Sequence, residues 1–207
     1  MTWIKICGIT NLQDALQAAT LEVDALGFIF APSPRRIDPL AAREIVRSLP
    51  PSVFKIGVFV DEEISEVRRI ADDCGLNGLQ FHGQESPEYC QEFPLPVIKT
   101  IAVRSIDSLR EMEKYSSVSI LLDAWSAERA GGSGKAFCWE WAGEAWKKRD
   151  FILSGGLNPM NVYQAVQRLK PVGVDVCSGV EQIPGKKNLW KMIDFVKEVK
   201  RADGSTR

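Results

Sequence analysis

Apolar residues along the chain follow two alternating periods. Short runs dense in Val, Ile, Leu and Phe at 3–7, 24–30, 53–60, 76–82, 95–101, 118–123, 151–154 and 172–177 have the length and β-branched content of strands. Between them, apolar positions recur every three or four residues over 12–19, 39–49, 62–73, 86–92, 105–115, 139–147, 158–169 and 188–201, which predicts helices. Asn11 and Pro39 stand where helix starts need a capping side chain and a preset φ. Strict alternation of strand and helix implies parallel pairing through right-handed crossovers, and eight such units close a barrel. The expectation is an α/β chain forming a single-domain (β/α)8 TIM barrel over 1–207, with 202–207 a frayed polar tail. An open doubly wound sheet is the alternative, but no GxGxxG fingerprint supports it.

The first strand predicts which side of each strand faces inward. In Trp3-Ile4-Lys5-Ile6-Cys7 a pleat of period two puts Ile4 and Ile6 on one face and Trp3, Lys5 and Cys7 on the other. If the thiol faces the lumen, matching parity brings Lys55, Gln80, His82, Lys99, Ser119, Asp123, Asp175 and Cys177 inward. Such an interior is costly unless its charges pair or serve chemistry. Pairing low in the barrel is the expectation for Lys55 and Lys99. Cys7 and Asp123 end their strands, where barrel enzymes hold reacting groups. Taken alone, a strand cysteine is usually a small inert hydrophobe.

Composition narrows the partner. Lys plus Arg total 26 against 27 Asp plus Glu, so nothing favours a polyanion such as nucleic acid. No run approaches the ~18 apolar residues of a membrane span, and no signal peptide precedes the first strand, so a cytoplasmic protein starting at Met1 is expected. The five cysteines, at 7, 74, 90, 138 and 177, lack metal-clip or CxxC spacing, and His82 is the sole histidine. Free thiols, no metal and no cofactor are the expectation.

Three glycine-bearing segments follow the sixth, seventh and eighth strands: Gly131-Gly132-Ser133-Gly134-Lys135, Ser154-Gly155-Gly156-Leu157-Asn158 and Cys177-Ser178-Gly179-Val180-Glu181. Each alone is weak. On one rim they form an anion cradle, because glycine lets backbone N–H groups approach a phosphate and barrels commonly bind phosphate after strands seven and eight. A phosphorylated small molecule is the expected ligand.

Along the whole chain KICGIT, the SPR loop at 33–35, VGVF, QFHG at 80–83, LLD at 121–123, GGSGK, LSGGLNPxNV and VDVxSGVExxPGKK run in the order seen in one family. The chain resembles the phosphoribosylanthranilate isomerases of tryptophan biosynthesis. The resemblance implies an Amadori rearrangement of N-(5-phosphoribosyl)anthranilate to the 1-deoxyribulose 5-phosphate, with one acid, one base and no cofactor. It implies that Asp123 protonates the ring oxygen and Cys7 removes the C2 proton, with Lys5 the cation expected to help form the thiolate. Arg35 matches the family's carboxylate-gripping arginine. Gly132, Ser133, Gly134, Gly155, Gly156, Ser178 and Gly179 are expected at the phosphate. Asp175 is expected either to orient the substrate or to pair with a buried lysine, and His82 to be a hydrogen-bonded barrel residue.

Three departures limit the transfer: Arg36 stands where the family often has an aromatic, Cys138 where FDW is usual, and Cys177 where a small Ser is common. None is expected to touch the acid or the base. Sister phosphate-binding barrels, such as indole-glycerol-phosphate synthase and the histidine-pathway sugar isomerase, remain alternatives, and Cys7 speaks against both. A catalytically silent phosphate-binding protein on the same scaffold is a third. A monomer or a homodimer is compatible with the sequence.

Overall fold

The computed structural model describes residues 1–123 and 149–204. The strands are β1 Trp3–Ile6, β2 Ala25–Ile29, β3 Phe54–Phe59, β4 Gly78–Phe81, β5 Val97–Ala102, β6 Ser119–Asp123, β7 Ile152–Ser154 and β8 Gly173–Val176. They form one closed parallel barrel in chain order, with β1 paired to β8. The helices are α1 Leu12–Thr20, α2 Pro39–Arg47, α3 Ile64–Cys74, α4 Pro87–Gln91, α5 Val162–Leu169 and α6 Leu189–Gly204. The expected helix at 139–147 lies outside the described residues, as do the candidate phosphate residues Gly132, Ser133 and Gly134 and the departure at Cys138.

Local chemistry explains the helix ends. Asn11 accepts from the Asp14 backbone N–H, Asp38 from that of Leu40 just before Pro39 opens α2, and Ser86 from that of Tyr89. After β5 the expected helix is a 3₁₀ helix, Ile106–Lys114. Its buried residues Leu109 and Met112, and Tyr115 just past its end, are three apart, so three residues per turn keeps them on one face. The fraying expected at 202–207 does not begin at 202. Helix α6 runs through Gly204, Ala202 is fully buried, and Asp203 accepts 2.7 Å bonds from the backbone N–H and hydroxyl of Thr2.

Strand register decides which side chains fill the barrel. Ala25, Ile56, Ile98, Leu121 and Ile152, with Trp3 against them, form an apolar plug in the N-terminal half of the lumen. Above the plug sit Lys5 and Asp175, joined at 2.9 Å, and Gln80, whose Nε2 donates to Thr100 at 3.1 Å. The inward positions expected for Lys55 and Lys99 are wrong. In-register partners share a face, and Lys55 is registered with Leu26, and Lys99 with Phe81 and Ile120, all residues packed under the helices. Lys55 Nζ donates to the Pro50 carbonyl at 2.7 Å, and Lys99 Nζ meets Glu85 at 2.7 Å. The reason is that parallel barrel strands are apolar on both faces, so alternation along β3 and β5 does not mark the inside.

After β8 comes a turn of 3₁₀ helix, Ser178–Val180, and a small antiparallel hairpin of β9 Glu181–Ile183 and β10 Lys186–Lys187, turning at Gly185 with φ 82°. Asp14 of α1 anchors it by accepting from the Lys187 backbone N–H at 2.6 Å. Among the described residues no helix is long and apolar enough to cross a membrane.

Candidate active site

The C-terminal mouth of the barrel holds a cavity of about 220 Å³ lined by Cys7, Arg35, Gln80, His82, Asp123 and Asp175, with Ser154, Gly155, Gly156, Cys177 and Ser178 also on its wall. Cys7 enters it from the end of β1. Its thiol has room because residue 27 on β2 is Gly, where an added Cβ would stand 2.7 Å from the sulfur. Gly8 follows with φ 73°, and a Cβ there would lie 2.8 Å from Cys177 Sγ and 3.0 Å from Arg35 Cδ. Both glycines therefore keep space for the thiol and its neighbours.

The surroundings of Cys7 favour the thiolate. A hydrogen bond from Cys177 acts most strongly, burial opposes it, and Lys5 and Lys187 add positive charge, so the pKa is lowered to about 6. Lys5, the cation expected to help, is the first of the two that do. Cys177 in turn is raised, first by its bond to Cys7 and then by burial, so it stays the protonated donor of the pair. The expectation that none of the three departures touches the acid or the base fails at Cys177. Burial alone would lower the Lys5 ammonium, but Asp175 and then Cys7 raise it above its ordinary value, so Lys5 is a fixed cation beneath the thiol.

Asp123 reaches the opposite side of the mouth from the end of β6. His82 Nε2 lies 3.3 Å from its Oδ2, so the histidine is a direct neighbour of the candidate acid. Asp175 makes the salt bridge to Lys5 and also lines the cavity, so both expectations for it describe part of its setting. Gln80 is buried and borders the cavity, and its Oε1 is a buried atom without a partner among the described residues.

Arg35 is half-buried and clamped by Glu181 through Nε at 2.8 Å and Nη2 at 2.7 Å, with Nη1 outside that fork. The bond to Glu181 raises the guanidinium further, and burial works against it. Burial of Glu181 would raise its carboxyl, yet Arg35 and Lys187 hold it below the usual carboxylate range. Arg36 is exposed and does not line the cavity, which separates the two adjacent arginines.

Of the glycine segments, Gly155 and Gly156 have φ of 84° and 73° and lie on the cavity wall beside Ser178. Gly179 has a different reason to be glycine: a Cβ there would stand 1.9 Å from the Leu157 carbonyl oxygen, so it locks the loop after β7 to the loop after β8. Glu181, Lys187 and Gly27 are site residues that sequence reasoning missed. The Pro184-Gly185 pair, a turn signal between two short runs, could have revealed the hairpin that carries the first two.

The closed barrel and its mouth define a (β/α)8 protein with a thiol of lowered pKa and a carboxyl group facing one cavity. Residues 4–198 match the family model described as N-(5'-phosphoribosyl)anthranilate isomerase. The isomerase of Geobacter sp. is 48% identical over 97% of this chain and 99% of its own length, and that of Pelobacter propionicus is 45% identical over 97% and 96%. The crystal structure of phosphoribosylanthranilate isomerase from Thermotoga maritima superposes with a TM-score of 0.91 at 43% identity, covering 97% of this chain and all of that one. A structure of such an isomerase in complex with reduced 1-(o-carboxyphenylamino)-1-deoxyribulose 5-phosphate gives 0.88 at 40% identity, with the same coverage. This chain belongs to the N-(5'-phosphoribosyl)anthranilate isomerase family.

Proposed function

We propose that Cys7 is the base and Asp123 the acid of the family's isomerisation, the conversion of N-(5-phosphoribosyl)anthranilate to 1-(2-carboxyphenylamino)-1-deoxyribulose 5-phosphate in tryptophan biosynthesis. Asp123 gives a proton to the furanose oxygen as the C1–O bond breaks and the amine lone pair forms a Schiff base. The Cys7 thiolate takes the C2 proton, the electron pair moves toward nitrogen, and the resulting enolamine tautomerises to the ketone. The observation that carries this reading is the single cavity bordered by a thiol whose pKa is lowered to about 6 and by Asp123. Asp175, on the cavity wall, offers a carboxylate to the substrate hydroxyls. Arg35, already oriented by Glu181, offers its remaining Nη1 to the anthranilate carboxylate.

The 5′-phosphate is assigned to the rim formed by Gly155, Gly156 and Ser178, with Gly179 holding two of the loops together; Gly132, Ser133 and Gly134 are assigned to it from their sequence motif alone. Turnover assays test this directly. Inorganic phosphate should compete with substrate, and Gly156→Val should raise KM steeply with kcat less affected. Equal turnover of a substrate without its phosphate would refute the assignment.

A cytoplasmic location is part of the reading, in keeping with free thiols at Cys7, Cys74, Cys90 and Cys177. One Thermotoga maritima structure is of monomers generated from a dimeric isomerase, at 38% identity and a TM-score of 0.87. A homodimer is the corresponding state for this chain, and sedimentation velocity showing only monomer would contradict it.

A further inference from the structure

The first and last barrel strands bring together two thiols that are 170 positions apart in sequence. The ladder between β1 and β8 pairs Ile6 with Val176, and the Cys7 backbone N–H donates to the Val176 carbonyl at 2.8 Å, so the next pair in register is Cys7 and Cys177. Neighbouring strands lie ~4.7–4.9 Å apart, within the ~4.4–6.8 Å Cα separation that disulfides span. Both side chains line the same cavity, and the glycines beside them leave room for the sulfurs: an added Cβ at Gly27 would stand 2.7 Å from Cys7 Sγ and one at Gly8 2.8 Å from Cys177 Sγ. The other two described cysteines, Cys74 and Cys90, are buried elsewhere and are raised chiefly by burial, so they are poor nucleophiles.

We propose that Cys7 and Cys177 form a redox-active dithiol, a modification site at which hydrogen peroxide closes a Cys7–Cys177 disulfide that turns the enzyme off until a thiol reductant reopens it. Cys7 is the attacking sulfur, because its neighbours Lys5 and Lys187 favour the thiolate. It attacks the peroxide, an S–O bond forms as the O–O bond breaks, and hydroxide leaves to be protonated to water. Cys177 then gives up its proton and attacks the Cys7 sulfur. The S–S bond forms, the S–O bond breaks, and a second water departs. Two thiols lose two electrons and two protons, and the peroxide takes them up as two waters. Lys187 Nζ, 3.8 Å from Cys177 Sγ, is placed to support the second thiolate as it forms.

The proposed linkage rests on the strand register and the shared cavity. Its effect on turnover rests on the reading of Cys7 as the base, since a disulfide sulfur cannot accept the C2 proton.

The test treats the purified full-length protein with hydrogen peroxide, blocks free thiols, and reads both peptide masses and turnover. The expected result is a Cys7–Cys177 linked peptide as the main product. Turnover should fall by at least ~10², the scale of a lost general base, and return on adding dithiothreitol. In Cys177→Ser no linked peptide should form, Cys7 should proceed to sulfinic acid, and most of the loss should become irreversible. The wild-type peptide map decides the matter even if that variant folds poorly. A Cys7 found only as sulfinic acid, left unoxidised, or joined to Cys138 would overturn the proposal, as would equal dithiothreitol rescue in Cys177→Ser. A linked peptide with undiminished turnover would uphold the dithiol and refute Cys7 as the base.

Discussion

Lys5 with Asp175, and Lys99 with Glu85, are two buried ion pairs of nearly equal geometry, 2.9 Å and 2.7 Å long, with side chains no more than 6% exposed. They differ in which face of the barrel they occupy. Lys99 points outward from β5, where it also donates to the Gly83 carbonyl, while Glu85 accepts from the backbone N–H groups of Asp61 and Gly83. That pair pins the loop after β4 and works as architecture. Lys5 points inward beneath Cys7, and its charge reaches the thiol. Distance and burial are therefore silent about role, and position relative to the barrel mouth separates a structural pair from one that tunes chemistry.

The largest expected effect falls on the lumenal side. Cys7→Ala and Asp123→Asn should each lower kcat by ~10²–10⁴ while circular dichroism stays native, as for a lost base or acid. A folded Cys7→Ala enzyme with near wild-type kcat would remove the base from the account. On the outer side, Glu85→Ala strands a buried ammonium and should cost ~3–5 kcal/mol of unfolding free energy in urea titrations, with kcat changed less than about tenfold. If it instead matched Cys7→Ala in lost turnover and kept its stability, the contrast between the two pairs would collapse.

A smaller effect belongs to the arginine at the rim. Arg35→Ala should lower kcat/KM about ten- to a hundredfold, the ~1.5–3 kcal/mol of a charge-assisted fork, and Arg36→Ala only severalfold. A larger loss at Arg36 would mean that the carboxylate is gripped by the exposed residue. The smallest change is in pH dependence. With the base active as thiolate, kcat/KM should be at its plateau above about 6 and fall as pH drops through that value. Cys177→Ala removes the strongest stabiliser of the thiolate and should move this limb upward, with Cys177→Ser, which keeps a donor, moving it less.

The barrel is legible in the sequence because its eight strand-like runs alternate with helical periodicity, and each signal is local. The inward positions of Cys7, Gln80, His82, Asp123, Asp175 and Cys177 are legible as well, since a polar residue on an otherwise apolar strand marks its face. Lys55 and Lys99 break that rule by facing outward among helix-packing residues, because the long stems of lysine bury well and a carbonyl or carboxylate waits for each head. The contact between Cys7 and Cys177 depends on register across the β1–β8 seam, which only closure of the barrel determines. Likewise, the clamp of Glu181 on Arg35 depends on a hairpin of two very short strands, too brief to have a period of their own.

Whether the protein holds Cys7 as a thiolate at neutral pH is read directly from the pH dependence of its alkylation. Iodoacetamide labelling of Cys7, followed through the mass of its peptide, should rise with pH to a midpoint near 6, well below an ordinary thiol. In Cys177→Ala the midpoint should climb. A wild-type midpoint near ~8.5, unmoved in Cys177→Ala, would show that neither Lys5 nor Cys177 prepares the thiol for proton abstraction.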